Sequence, residues 1–440
     1  MSDDITTQKK KLVDETKYSM DTHLIYGKDV SDKWDYSHHV TAPISSSTTF
    51  RLDSVERGAQ GFMQFANTES LGDNAPIFIY DRLGEPNKDM LEENLAYVEK
   101  GEIAVSFSSG MGAISGALGV LLSAGDELIT HNTLYGCTLS LFTNWYPRLN
   151  IKWVPVDLTV ADNIYNSVTP KTRVIYFESP ANPNMEIIDI TAVRKIVDEI
   201  NKERDERNKI HIVVDNTFAT SFCQRPIEFG ADFVVHSLTK GIGGFGTDIG
   251  GVVIGKKKYK DFLLLYRKDF GAVMNTKSAW SILTYGLPTL ALRQRHQIKS
   301  AMRIADYLDA HPKIKFVNYP GLPTSKFYNL AKKQMVDFNG NFAPGSLIYF
   351  VLEGNTPAES KEKGRKFMDY AADHAYTMTL AVSLGHTRTL LEHPASMTHS
   401  VVPPEELEAR GIDPGGIRLA IGLENPDDIL LDLDECLKVI

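Results

Sequence analysis

Asp232-Phe-Val-Val-His-Ser-Leu-Thr-Lys240-Gly-Ile-Gly-Gly244 decides how the chain is read. Its Val-rich apolar run predicts a short buried strand. The run ends in His236, Ser237 and Thr239, and Lys240 then stands before a glycine-rich turn. A lysine between an apolar strand and glycines is out of place as a solvated surface charge. At a strand end ringed by hydroxyls it can be held with a lowered pKa and can form a Schiff base. Taken alone, such a lysine more often caps a turn. Upstream, Ile210-His-Ile-Val-Val-Asp215-Asn-Thr predicts a second apolar strand, this one ending in a carboxylate.

The surrounding composition narrows the classes. The chain has 440 residues, 42% hydrophobic and 23% charged, as ordinary globular proteins do. That length suggests two or three domains with a sizeable core. A net charge of -9 leaves no basic footprint for nucleic acid. No apolar run is long enough to span a membrane, and no secretory apolar region opens the chain. Three widely spaced cysteines, Cys137, Cys223 and Cys436, fit a reducing cytoplasm better than a disulfide framework. Residues 1–79 read as an N-terminal arm whose polar first part orders only against a partner subunit. Residues 80–285 read as the cofactor domain and 286–440 as a C-terminal domain.

Within 80–285 the periodicity alternates. Ile103-Ala-Val-Ser-Phe predicts a strand, Ser108-Ser109-Gly110 a turn, and Met111 to Leu122 a small-residue helix. A strand, a small turn and a helix N-terminus together make a phosphate site, because free N–H groups and a positive dipole end face outward; they also make an ordinary tight turn. Strand and helix patterns then alternate through Glu127–His131, Ile151–Val156, Arg173–Phe177, Val193–Lys209 and the Asp215 strand. This predicts an α/β, doubly wound, mostly parallel sheet, whose ligands sit beyond the carboxyl ends of the strands. Those ends carry Ser109, Tyr135, Glu178, Asn182, Asp215 and Lys240. An Asp and a Lys at neighbouring strand ends fit the pyridinium partner and Schiff-base lysine of pyridoxal phosphate (PLP) enzymes. Nearer the start, Asn87 or Asp89 is expected to cap a helix from Met90 to Glu99, stopped by Gly101. Past residue 285, Ala301, Ile304, Ala305 and Leu308 predict a long amphipathic helix, and Gly416-Ile-Arg418-Leu-Ala-Ile a strand with one arginine facing out of an apolar run.

Two patterns mislead. Gly241-Ile-Gly-Gly-Phe-Gly246 matches a dinucleotide fingerprint, but that motif should open a helix, and here Asp248-Ile-Gly-Gly-Val-Val-Ile follows, a strand. His386, His393 and His399 crowd one region without a helical zinc spacing, so no metal site is expected.

With these motifs in hand, residues 75–435 are similar to the Cys/Met-metabolism family of PLP enzymes. That family includes cystathionine synthases and lyases, O-acetylhomoserine sulfhydrylases and methionine gamma-lyases. Phe107-Ser-Ser-Gly-Met-Gly-Ala-Ile resembles its phosphate loop, implying Gly110 and Met111 N–H groups on the phosphate, helped by Ser237 and Thr239. Leu134-Tyr135-Gly-Cys-Thr resembles the segment whose tyrosine stacks on the cofactor. Glu178-Ser-Pro-Ala-Asn182-Pro-Asn resembles the loop whose asparagine meets the ring oxygen. Asp215 and Lys240 take the pyridinium and Schiff-base roles. Val382-Ser383-Leu-Gly and Arg418 resemble the clamp for the substrate carboxylate. Tyr80-Asp-Arg82 resembles a pair that reaches the phosphate of a neighbouring subunit, which implies dimers packed into a tetramer.

The resemblance thus implies a PLP-dependent transferase-like fold of the aspartate aminotransferase type, with a smaller C-terminal α+β domain. One departure is Glu85-Pro-Asn, where the family has Asn-Pro-Thr; it sets an extra carboxylate near Arg82. The long N-terminal arm also departs from the lyases. Cys137 after Tyr-Gly, and Lys268-Asp269 as a Lys-Asp pair near the active site, point within the family to γ-elimination of L-methionine. Sulfhydrylation of O-acetylhomoserine and cystathionine chemistry are the alternatives. An inert paralogue is a third reading, opposed by the complete set of Asp215, Lys240 and Arg418. Lys240 would take the α-proton, move it to the cofactor and then act at the β-carbon, and Tyr135 would protonate a leaving sulfur. A phenol with an ordinary pKa of ~10 would need Arg82 or the cofactor to tune it.

Overall fold

The computed structural model describes residues 17–27, 40–67, 76–398, 407 and 411–440. The alternating apolar runs form a seven-stranded sheet in the order β1-β7-β6-β5-β4-β2-β3. Its strands are β1 Ile103–Phe107, β2 Glu127–His131, β3 Lys152–Val156, β4 Thr172–Glu178, β5 His211–Asp215, β6 Phe233–Ser237 and β7 Gly251–Gly255. β2, β3, β4, β5 and β6 pair in parallel, while β7 runs antiparallel between β1 and β6. β1 therefore points the same way as β6. The carboxyl ends of β1, β2, β4, β5 and β6 share one edge. Ser108, His131, Glu178, Asp215 and Ser237 gather there from distant parts of the chain.

Both faces of this sheet are covered, as a parallel sheet requires. One face, with Ile175, Ile212, Val214 and Val234, packs on helices that include Pro86–Val98 and Leu287–Asp309. The other, with Val105, Val174, Tyr176 and Val235, packs on Gly110–Gly119 and Lys260–Phe270. A five-stranded sheet follows in the order β10-β11-β12-β9-β8. It is made of β8 Ile314–Asn318, β9 Leu347–Leu352, β10 Met378–Leu380, β11 Thr389–Glu392 and β12 Gly416–Ala420. The glycines Gly241–Gly246 form turns and lead into β7, not into a helix.

Three local expectations are corrected. The helix expected from Met90 begins at Pro86, and its N-cap is Glu85, whose carboxylate accepts from the Lys88 N–H at 3.1 Å. Proline is suited to the first helical turn because its missing N–H would be orphaned there anyway. Asn87 does other work: its amide binds the Ser45 N–H and the Pro43 carbonyl and pins the extended segment before Thr49. Glu85 is thereby turned inward and buried rather than paired with Arg82.

The second correction concerns the described part of the arm alone, since residues 1–16 and 28–39 lie outside the described residues. Met20–Tyr26 is a helix that docks on its own chain, with Leu24 buried and Asp21 accepting from Arg295 at 2.6 Å. Third, Arg418 does not face out: it is 3% exposed.

Candidate active site

The end of β6 delivers Lys240 into a cleft between the two sheets. Its ammonium donates to the Ser383 hydroxyl at 2.7 Å. The hydroxyl that meets the amine thus comes from the second sheet's loop, not from the neighbours Ser237 and Thr239. Burial, then the positive charge of Arg418, lower the lysine pKa to about 8. Ser383 holds a φ of 99°, a left-handed conformation unusual for serine. Gly385, also left-handed, lies so close to the lysine backbone that a Cβ there would come within 2.4 Å of the Gly241 N.

Two carboxylates stand side by side at the ends of β4 and β5, since Glu178 and Asp215 are register partners. Glu178 is consumed by the backbone: it accepts from Tyr135 N at 2.7 Å and Asn182 N at 3.2 Å. It therefore ties the Tyr135 and Asn182 loops to one strand end. Burial, and then Asp215, push its carboxyl well above the usual range. Asp215 is bound by Thr217 N at 2.9 Å and by the Tyr176 hydroxyl at 3.4 Å. Burial raises its carboxyl too, while the Thr217 bonds favour the ionised form.

The loop from β1 and the end of β6 form a close cradle. Gly110 opens the helix Gly110–Gly119, capped by Ser109, whose hydroxyl accepts from Gly112 N at 3.1 Å. A Cβ on Gly110 would lie 2.7 Å from the Ser237 Cβ. Met111 follows in the same first turn. Ser237 N is held by the Thr217 hydroxyl at 2.9 Å. The Thr239 hydroxyl is committed to Gly250, accepting from its N–H at 3.1 Å.

On the opposite wall, Arg418 donates to Asn182 Oδ1 and to the Ser383 carbonyl, each at 2.9 Å. It also pairs with the buried Glu392, its register partner across β11 and β12. Thr398 binds the other carboxylate oxygen of Glu392. The Arg418 Nε is buried without a hydrogen-bond partner among the described residues. Tyr135 sits beside Cys137, and burial followed by the Cys137 hydrogen bond raises its phenol above the ordinary range. Cys137 is exposed and lies near Lys240.

The structure therefore gathers Lys240, Tyr135, Cys137, Asn182, Asp215, Ser237, Ser383 and Arg418 around one cleft. Tyr80, Arg82 and Asp269 form a separate surface group. Arg82 lies over the Tyr80 ring and donates to the Lys268 carbonyl at 3.2 Å, and Asp269 pairs with the Lys268 ammonium at 2.6 Å. Sequence reasoning passed over Glu392 and weighed His386 only as a member of a histidine cluster. Glu392 was detectable in principle: Thr389-Leu-Leu-Glu392 sets one carboxylate in a short apolar strand, as Arg418 is set in its own. No three His, Cys, Asp or Glu side chains among the described residues form a metal-binding group, and His399 lies outside those residues.

Comparison with known proteins identifies the family. Residues 21–438 match the family model described as Cys/Met metabolism PLP-dependent enzyme. The chain is 40% identical over 426 residues to an L-methionine gamma-lyase of Fusobacterium nucleatum subsp. polymorphum, covering 96% of this chain and 99% of the relative. It is 33% identical over 466 residues to an O-acetyl-L-homoserine sulfhydrylase of Leptospira meyeri, covering 96% and 97%. A solved cystathionine gamma synthase from Xanthomonas oryzae pv. oryzae, in complex with aminoacrylate and cysteine, superposes with a TM-score of 0.82 at 32% identity over 96% of this chain and 98% of that one.

Proposed function

Since the chain belongs to the Cys/Met-metabolism family of PLP-dependent enzymes, we propose that it eliminates the γ-substituent of L-methionine, releasing methanethiol, 2-oxobutyrate and ammonia. The residues present suit the cofactor. Lys240 would hold it covalently through an amine that burial keeps partly unprotonated near pH 8. Asp215 would face its ring nitrogen, Tyr135 its ring and Asn182 its ring oxygen. The Gly110–Met111 helix start, with Ser237, would take its phosphate, since a Cβ at Gly110 would crowd that cradle. Thr239 braces the same turn through Gly250. Once bound, PLP serves as the electron sink for carbanion chemistry at the amino acid.

The chain's own groups supply the rest. Arg418 would bind the substrate carboxylate beside Ser383, and its buried Nε, without a partner among the described residues, is a donor left for an anion. That orphan donor, in the same cleft as the Lys240 amine, is the observation that carries the reading. Lys240 would accept the α-proton, since a base with a pKa near the working pH transfers protons best. Tyr135 would protonate the leaving sulfur: a phenol raised by burial stays protonated until a strong base forms beside it. Cys137 would line the space for the γ-substituent. Tyr80 and Arg82 would reach the phosphate of a neighbouring copy, with Asp269 beside them, giving a dimer of dimers.

γ-Replacement on O-acetylhomoserine is the second reading, supported by the relative that bears that name. The test is to incubate the purified protein with L-methionine, L-cystathionine, L-cysteine, or O-acetylhomoserine plus sulfide, and to identify the products. Methanethiol and 2-oxobutyrate from methionine, at a kcat/KM above those for the other substrates, are expected. Homocysteine from O-acetylhomoserine and sulfide as the fastest reaction would replace this reading with the second.

A further inference from the structure

We propose that His386 is a positioning residue that, acting through the Ser383 hydroxyl, carries protons between Lys240 and solvent. The inference rests on Lys240 being the proton-carrying amine proposed above.

The geometry is a continuous chain. Lys240 Nζ lies 2.7 Å from Ser383 Oγ, and Ser383 Oγ lies 3.3 Å from His386 Nε2. A serine hydroxyl has one donor and two acceptor sites, so it can accept from an ammonium while donating to a neutral imidazole. The loop is built to hold this chain. Gly385 lets it lie on the Lys240–Gly241 backbone. Gly246 makes room for the ring, since a Cβ there would come within 2.7 Å of the His386 Cε1 and Nδ1. The His386 carbonyl is anchored by Gln297 Nε2 at 2.9 Å. His386 itself is half-buried.

The charges around the ring favour the same role. Lys240 is the charged group acting on His386, and burial together with that charge keeps the imidazole below its ordinary pKa and so neutral. Arg418, Glu392 and Cys137 act on Lys240 in turn. The proton balance closes. As the Lys240 ammonium gives a proton to Ser383 Oγ, Ser383 gives its own to His386 Nε2. Lys240 is left as an amine, Ser383 as a hydroxyl and His386 as an imidazolium, which loses its Nδ1 proton to water. Run in reverse, the path returns a proton to Lys240, and an elimination that needs the lysine first as base and then as acid uses both directions.

Two measurements decide it. First, kcat/KM and kcat are followed against pH for the wild type and His386→Gln. Glutamine can still accept from Ser383 but cannot take up the proton. We expect kcat to fall about a hundredfold, at the lower reach of general acid–base effects. KM should change little, the acidic limb of the profile should flatten, and added imidazole should restore turnover. A His386→Gln profile that overlays the wild type overturns the relay. Second, the His386 ring is titrated by NMR in the full chain without cofactor, with and without Lys240→Ala. Its midpoint should rise when the lysine charge is removed; an unmoved midpoint also overturns the relay. If Lys240→Ala still turns over substrate, it is the proposed role of Lys240 that fails, and the ring titration continues to report the coupling.

Discussion

At Lys240, burial works against the ammonium ion and brings its pKa down to about 8. Capture of PLP by cofactor-free protein needs the amine, so its rate should climb as pH rises toward about 8 and level off beyond it. Stopped-flow absorbance would read this, and a rate still climbing into the ordinary lysine range, ~10.4, would refute the assignment. Lys240→Ala should lose the visible band and turnover while keeping its fold by circular dichroism. Cys137 offers a subtler case, because cysteine is often only a small apolar filler. If it shapes the γ-substituent space, Cys137→Gly should depress kcat/KM for L-methionine more than for L-cystathionine, by about 10–200-fold or 1–3 kcal/mol in the ratio. An equal fall for all substrates would make it packing. What could be read at this scale followed one rule: a polar residue stood out where it broke an apolar strand or ended one. Lys240, Asp215 and Arg418 did so. His386 did not, because its partner Ser383 reaches Lys240 only through a contact 143 positions along the chain. Nor could any pattern foretell that Ser383, rather than Ser237 or Thr239, would meet the amine.

The strand ends are what concentrate these groups, because six strands of one sheet point to the same edge. Several strands were legible to within about one or two residues, as in Lys152–Val156 and Gly416–Ala420, whereas β10 and β11 went unread and β7 begins three residues after Asp248. Helix starts were less so. The Pro86–Val98 start was missed because glutamate is an uncommon N-cap, while Asn87 and Asp89 are the residue types favoured there. The helix Gly110–Gly119 gives a sharper test of how elements build the cradle. Gly110→Ala would push a Cβ to 2.7 Å from that of Ser237, whereas at Gly112 the nearest atom would lie 3.4 Å away. Overpacking costs about 1–3 kcal/mol, so Gly110→Ala should lower Tm and weaken PLP binding. Gly112→Ala, inside the helix, should keep both or gain a few tenths of a kcal/mol from the better helix former. Equal effects from the two variants would show that the cradle's closeness is irrelevant to the cofactor.

For the whole molecule, the division of site residues into two groups is the informative feature. Lys240, Asp215, Tyr135 and Arg418 meet in one cleft, while Arg82 and Tyr80 are exposed and held elsewhere by the Lys268 carbonyl and by each other. The turn between them is braced from below: the buried Lys88 ammonium grips Asp81 through its carbonyl at 2.5 Å and its carboxylate at 2.6 Å. A buried lysine spent on fixing an exposed turn makes sense if that turn must present its side chains to something outside the chain. A two-fold pair of copies would supply it, each lending Tyr80 and Arg82 to the other's cleft. Arg82→Ala and Lys240→Ala should then each lose turnover alone, yet complement when unfolded together and refolded as a mixture. In a mixed pair, one cleft holds two sound halves and the other holds both lesions. With random pairing, recovery should approach about a quarter of wild-type activity. Mixed pairs, isolated by two affinity tags, should carry the whole of that recovery and bind PLP covalently at one site only. Tagged mixed pairs without activity would mean that each chain completes its own cleft, and Arg82 would then be a surface residue steadied by Tyr80.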